Sequence, residues 1–213
     1  MWKAIALTLV LLLACTLVYA TPSPATWVRK IFIGYDENFY YCLSIERNQP
    51  GSYFKYNDHV FFCKYKNNGT ITKKILLRET HHQDTTPLGI GSWTHKEKIK
   101  SPFELETYLI ENHIFYAFPS DNLRSYNIVF DEDGMTLKKE KNKILLIGSN
   151  ELNKYIKGYV KNMKVVEYYE SKNYFYFVVK YGLGCYDADF CQAIVPINLS
   201  IIREAEKAFW KNK

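Results

Sequence analysis

Tyr174-Phe175-Tyr176-Phe177-Val178-Val179 is apolar at every position. Successive side chains of a strand point to opposite faces, so a strand with no polar face needs a covering layer on each side. Ser171-Lys172-Asn173 precedes it, and residues 165–169 before that form a second strand-like run. The segment therefore reads as a hairpin whose second strand is central in a sheet.

C-terminal to this hairpin, 193–197 reads as a last strand. Residues 200–210 follow as a helix with Ile201, Ile202, Ala205, Ala208 and Phe209 apolar. On the N-terminal side, Leu152, Tyr155, Ile156, Tyr159, Val160 and Met163 recur at three- and four-residue spacing. That spacing predicts an amphipathic helix near 150–163 with one face packed on the sheet. Its polar face carries Lys154, Lys157 and Lys161, which leaves a partner- or membrane-surface helix as the alternative.

Further upstream, 143–147, 125–130 and 113–118 read as strands, with a turn at Asp133-Gly134 and a solvated basic turn over 138–143. Asp131-Glu132-Asp133-Gly134 is a turn and not a calcium loop, because Val129 and Phe130 stand where further ligands are needed. Ser101-Pro102-Phe103-Glu104 has helix-start chemistry for a short helix to about Asn112. Residues 80–100 are polar and contain Pro87, and read as a long surface loop. Residues 26–79 read as β-structure, with hairpins at Asp36-Glu37-Asn38 and at Asn67-Asn68-Gly69, where Asn-Gly supplies positive φ angles. The expected fold class is α+β: mainly antiparallel β-sheet built from several hairpins, a helix near 150–163 and a C-terminal helix near 200–210.

The first 20 residues have the form of an export signal. Lys3 supplies the positive charge, an apolar run follows, and Val18-Tyr19-Ala20 precedes Thr21-Pro22-Ser23-Pro24, so cleavage is expected after Ala20. Residues 21–213 then form a single exported domain, secreted or periplasmic. An uncleaved anchor is short for a bilayer and is stopped by Pro22 and Pro24. Leu12-Leu13-Ala14-Cys15 resembles a bacterial lipoprotein box, which implies the alternative of a lipid-anchored envelope protein acylated at Cys15. A membrane partner is expected only through this N-terminal segment.

Without Lys3 the chain carries 27 basic and 22 acidic side chains. A surplus this small and dispersed is not that of a nucleic-acid binder. The 18 tyrosines suit half-buried strands. Loss of Cys15 leaves four cysteines, an even number that reads as disulfides in an oxidising compartment. Three connectivities are possible, and sequence proximity favours Cys42 with Cys63 and Cys185 with Cys191.

Candidate sites are few. His81, His82 and Asp84 offer imidazole and carboxylate ligands suited to a divalent transition metal. Adjacent histidines lack the i, i+4 spacing of a helical zinc site, and His95 and Glu97 join them only if the loop folds back. Asp187 and Asp189, inside the second proposed disulfide loop, are candidate binding residues. Asn68 and Asn198 match the glycosylation acceptor, which matters only in a eukaryotic source. No phosphate loop or nucleophile elbow is present, and no cofactor is expected. The expected function is a non-enzymatic binding or envelope-associated module contacting a protein or glycan. The rivals are a small exported hydrolase or metal-dependent enzyme, and a structural component.

Overall fold

The computed structural model describes residues 25–49, 55–84, 93–100, 104–123, 126–156, 160–183 and 190–211. In order these form β1 (Ala25–Tyr35), β2 (Phe39–Gln49), β3 (Lys55–Lys66), β4 (Ile71–Asp84), β5 (Trp93–Ile99), α1 (Leu105–Glu111), β6 (Phe115–Tyr116), β7 (Asn127–Asp131), β8 (Gly134–Lys139), β9 (Asn142–Gly148), α2 (Ser149–Leu152), β10 (Val160–Glu170), β11 (Tyr174–Leu183), β12 (Phe190–Asn198) and α3 (Leu199–Lys211). The α+β class holds, mainly antiparallel.

Nine strands form one sheet in the order β10-β11-β12-β1-β2-β3-β4-β5, with β6 added on β1, and β7-β8-β9 form a second sheet. Every pairing is antiparallel except β1 with β12, which meet in parallel at Val28 and Cys191. Gly34 admits β6, since a Cβ there would lie 2.1 Å from the Phe115 carbonyl oxygen.

The large sheet curls on itself. Asn67, at the end of β3, is four strands from β11 in hydrogen-bonding order, which is about 19 Å in a flat sheet. Tyr176 Oη nevertheless donates to Asn67 Oδ1 at 3.2 Å. The curl brings Phe32, Tyr40, Cys42 and Cys63 from β1–β3 against Tyr176, Val178 and Ile194 from β11 and β12. On the opposite face of β11, Phe175, Phe177 and Val179 pack with Met135 and Leu137 of the small sheet and with Ile202, Ala205 and Phe209 of α3. The strand that is apolar on both faces is thus covered on both. On the convex face of β1–β4, Leu109 of α1 and Ile114 pack on Tyr41 and Phe62.

Three expectations are corrected. The helix near 150–163 is one turn, Ser149–Leu152, followed by turn structure to Ile156 and by strand from Val160. Tyr155 and Ile156 still pack against the core, and Tyr155 Oη donates to the Asn67 carbonyl at 3.1 Å. From Val160 the backbone is taken by pairing with β11, interrupted by a bulge at Lys161/Lys164 where Asn162 has φ 54°. The polar stretch 80–100 is not all loop: β4 runs to Asp84, and β5 pairs with it from Asp84↔Trp93 to Arg78↔Ile99. The strand over 113–118 is reduced to Phe115–Tyr116. The remaining hairpins and the C-terminal helix lie where the sequence predicts. The signal segment, Cys15, Cys185, Asp187 and Asp189 lie outside the described residues. No helix among the described residues is long and apolar enough to cross a membrane.

Candidate functional site

The curl leaves a cleft of about 360 Å³ on its concave face. Cross-strand register supplies one wall: Val28 opposite Glu46, Lys30 opposite Ser44, and Tyr40 opposite Tyr65. Gln192 and Ile194 of β12, with Tyr181 of β11, supply another, and Gly69, Ile71, Lys154 and Tyr155 form the rim. At Gly69, φ is +84° and a Cβ would lie 2.7 Å from the Tyr155 ring, so glycine lets the hairpin tip seat against this tyrosine.

The polar groups of the cleft are arranged by these strands. Lys30 N–H donates to Gln192 Oε1 at 2.9 Å, tying β1 to β12 beside their parallel contact. Lys30 Nζ donates to Tyr65 Oη at 3.1 Å and sits 4.5 Å from the centre of that ring. The Tyr65 ring stacks on Tyr40 at 5.1 Å. Ser44 is buried and its Oγ donates to Glu46 Oε1 at 3.1 Å, while Lys74 Nζ lies 2.7 Å from the same oxygen. Burial pushes the Tyr40 and Tyr65 hydroxyls far up, and those of Tyr155 and Tyr181 up to about 12. All four are therefore neutral near pH 7, able to donate and accept.

Ser44 is bonded directly to Glu46, with no imidazole between them to act as a general base. Glu46 is the one carboxylate among the described lining residues, whereas glycoside hydrolysis generally uses a pair.

Four of the five histidines lie elsewhere, on β3–β5. Because β4 is extended through residue 84, neighbouring His81 and His82 point to opposite faces. His81 Nδ1 lies 2.7 Å from Asn57 Oδ1, on the face where His59 Nε2 approaches Glu79 at 3.2 Å. Lys100, at 2.6 Å, and then His59 hold the Glu79 carboxyl below its ordinary range. On the other face, His82 Nδ1 lies 2.7 Å from His95 Nδ1, so the fold-back that His95 required does occur. His82 stacks on Tyr56 at 4.2 Å. Its Nε2 is 3.2 Å from Asp58 Oδ2. Asp58 is gripped at both oxygens by Arg47, at 2.7 and 2.8 Å, and Arg47 lies between Trp27 and Tyr56. Burial, ahead of the neighbouring His95 and Arg47, holds the His82 imidazole below its usual range. Asp84 is buried at the end of β4. The proposed set is therefore split, and no group of three or more His, Cys, Asp or Glu among the described residues is arranged to hold a metal ion.

Cys42 stands directly opposite Cys63 and both are fully buried thiols; Cys191 is a thiol in the separate core beneath α3. Asn68 is exposed at its hairpin tip, where its Oδ1 accepts the Thr70 N–H. Asn198 is exposed and caps α3, its Oδ1 accepting from Ser200 N–H and Oγ. The cleft is not legible in the sequence because its residues come from six strands and two turns. The one local signal is a polar residue next to apolar ones on the inward row of a strand: Lys30 between Val28 and Phe32, Ser44 beside Cys42, and Gln192 beside Ile194.

Comparison with known proteins finds no matching family model, no matching curated protein and no matching solved structure.

Proposed function

We propose that the protein is an exported, non-enzymatic binding module whose concave cleft takes a short glycan segment. The observation that carries this reading is the composition of the cleft wall. Donors and acceptors of both signs, from Lys30, Ser44, Glu46 and Gln192, alternate with tyrosine hydroxyls in a recess of about 360 Å³. A recess of that size suits a small polyhydroxylated ligand better than a flat protein face. The lone carboxylate of the wall favours binding over hydrolysis. Export, by cleavage after Ala20 or with a lipid on Cys15, places such a module where extracellular and envelope glycans are met.

A protein contact is a second reading. Ile110, Phe115, Tyr116 and Phe118 are 65%, 62%, 54% and 82% exposed along a short stretch, and clustered exposed apolar groups mark contact surfaces.

The test is a glycan-array screen of the purified mature protein, followed by calorimetric titration of the strongest binder. The expected result is saturable binding without turnover, weakened about tenfold or more in Lys30→Met and in Gln192→Ala, equivalent to about 1.4 kcal/mol. No binding to any array member, or cleavage of the bound glycan, would defeat the proposal.

A further inference from the structure

We infer that Cys42 and Cys63 are a cross-strand disulfide site, closed by thiol–disulfide exchange with a protein disulfide donor of the export compartment while β2 and β3 pair. The inference is independent of what the cleft binds.

Three observations carry it. The register sets Cys42 directly opposite Cys63. Directly opposed residues of an antiparallel pair have Cα atoms about 4.5 or 5.5 Å apart, and both separations fall within the span of about 4.4–6.8 Å that a disulfide accepts. Both side chains point to the concave face, are fully buried and hydrogen-bond to each other. Cys191, in contrast, belongs to the core on the other side of the β10–β12 layer, packed with Phe175, Val195 and Phe209. The fold therefore selects among the three connectivities that the sequence alone leaves open.

One of the two cysteines, as thiolate, attacks one sulfur of the donor disulfide, forming a mixed disulfide and releasing one donor thiolate. The other, as thiolate, then attacks the cysteine sulfur of that mixed disulfide, forming the Cys42–Cys63 bond and releasing the second donor thiolate. The two thiol protons pass to the donor, which gains the two electrons the chain loses. Since neither sulfur reaches solvent in the finished sheet, exchange belongs to the stage before the concave face closes. Tyr65, which hydrogen-bonds to Cys63 and lines the cleft, ties the bond to the cleft wall.

The test uses the full chain produced in an exporting host. Thiols are trapped with N-ethylmaleimide in denaturant without reductant, and the protein is digested with trypsin, which cuts between the two cysteines at Arg47 and Lys55. The expected product is a linked pair of unlabelled peptides carrying Cys42 and Cys63, about 2 Da lighter than the two thiol peptides together. Recovery of both residues as labelled thiols, or of either linked to Cys185 or Cys191, would overturn the inference.

Discussion

Tyr176 Oη donates to Asn67 Oδ1 across 3.2 Å, joining a central strand to the tip of the β3–β4 hairpin. Tyr155 Oη reaches the Asn67 carbonyl beside it. These two contacts pin the curl that creates the cleft. Tyr176→Phe removes one of them while keeping the buried ring, so it should cost about 1 kcal/mol. A urea unfolding midpoint checks this, and an unchanged midpoint would mean that the hairpin tip does not hold the curl.

The core on the other side of β11 should respond more strongly. Phe177 is fully buried and packs beside Phe175 and Tyr168. Phe177→Ala should cost about 3–5 kcal/mol, read from the same unfolding curves. A loss under about 1 kcal/mol would contradict a strand packed on both faces.

Acid should loosen the β3–β5 ribbon first. Two imidazole Nδ1 atoms 2.7 Å apart share one proton, and a second proton forces them apart. His82 is held below its ordinary value in the fold, so the unfolded chain binds that proton more readily. Its contribution to stability is complete above the ordinary imidazole value of about 6.5 and is lost as pH falls through the window below it. Glu79, also held low, adds a loss at more acid pH, below the ordinary carboxylate range. The urea midpoint should fall between about pH 7.5 and pH 5, and fall less in His82→Phe, which keeps the stack on Tyr56. An equal fall in the variant would remove His82 from the account.

The proposed Cys42–Cys63 bond would close a loop of about 20 residues, which in the chain-entropy account is worth about 3 kcal/mol. Denaturant unfolding of the exported protein with and without prior reduction should differ by that amount. Coincident curves, with the bond shown to be present, would mean that the sheet alone restrains this loop.

What the sequence conveys follows from which forces act locally. The strand at 174–179 is legible because layers on both faces demand apolar side chains at successive positions. The hairpins at Asp36 and Asn67 are legible because turn chemistry is local. The β4–β5 ribbon is not, because its outer half is open to solvent and held by polar cross-strand pairs such as Arg78–Glu97 and His82–His95. No apolar alternation is needed there. Residues 150–163 mislead for a different reason. The bulge at Asn162 breaks the two-residue period of β10, and Tyr155 and Ile156 pack inward from a turn, so their spacing imitates a helix. The cleft exists only after β1 meets β12, a contact of Val28 with Cys191 that no neighbouring sequence announces.

Ile71 offers the most direct test that the cleft is the binding site. It lines the recess from the rim yet is 44% exposed, so Ile71→Trp should obstruct the opening without straining the core. The decisive measurement is calorimetric titration of the glycan selected on the array into wild type and Ile71→Trp, with thermal unfolding of both. The cleft account predicts unchanged Tm and affinity reduced about tenfold or more, a loss of about 1.4 kcal/mol. Equal affinity in the two proteins would contradict it.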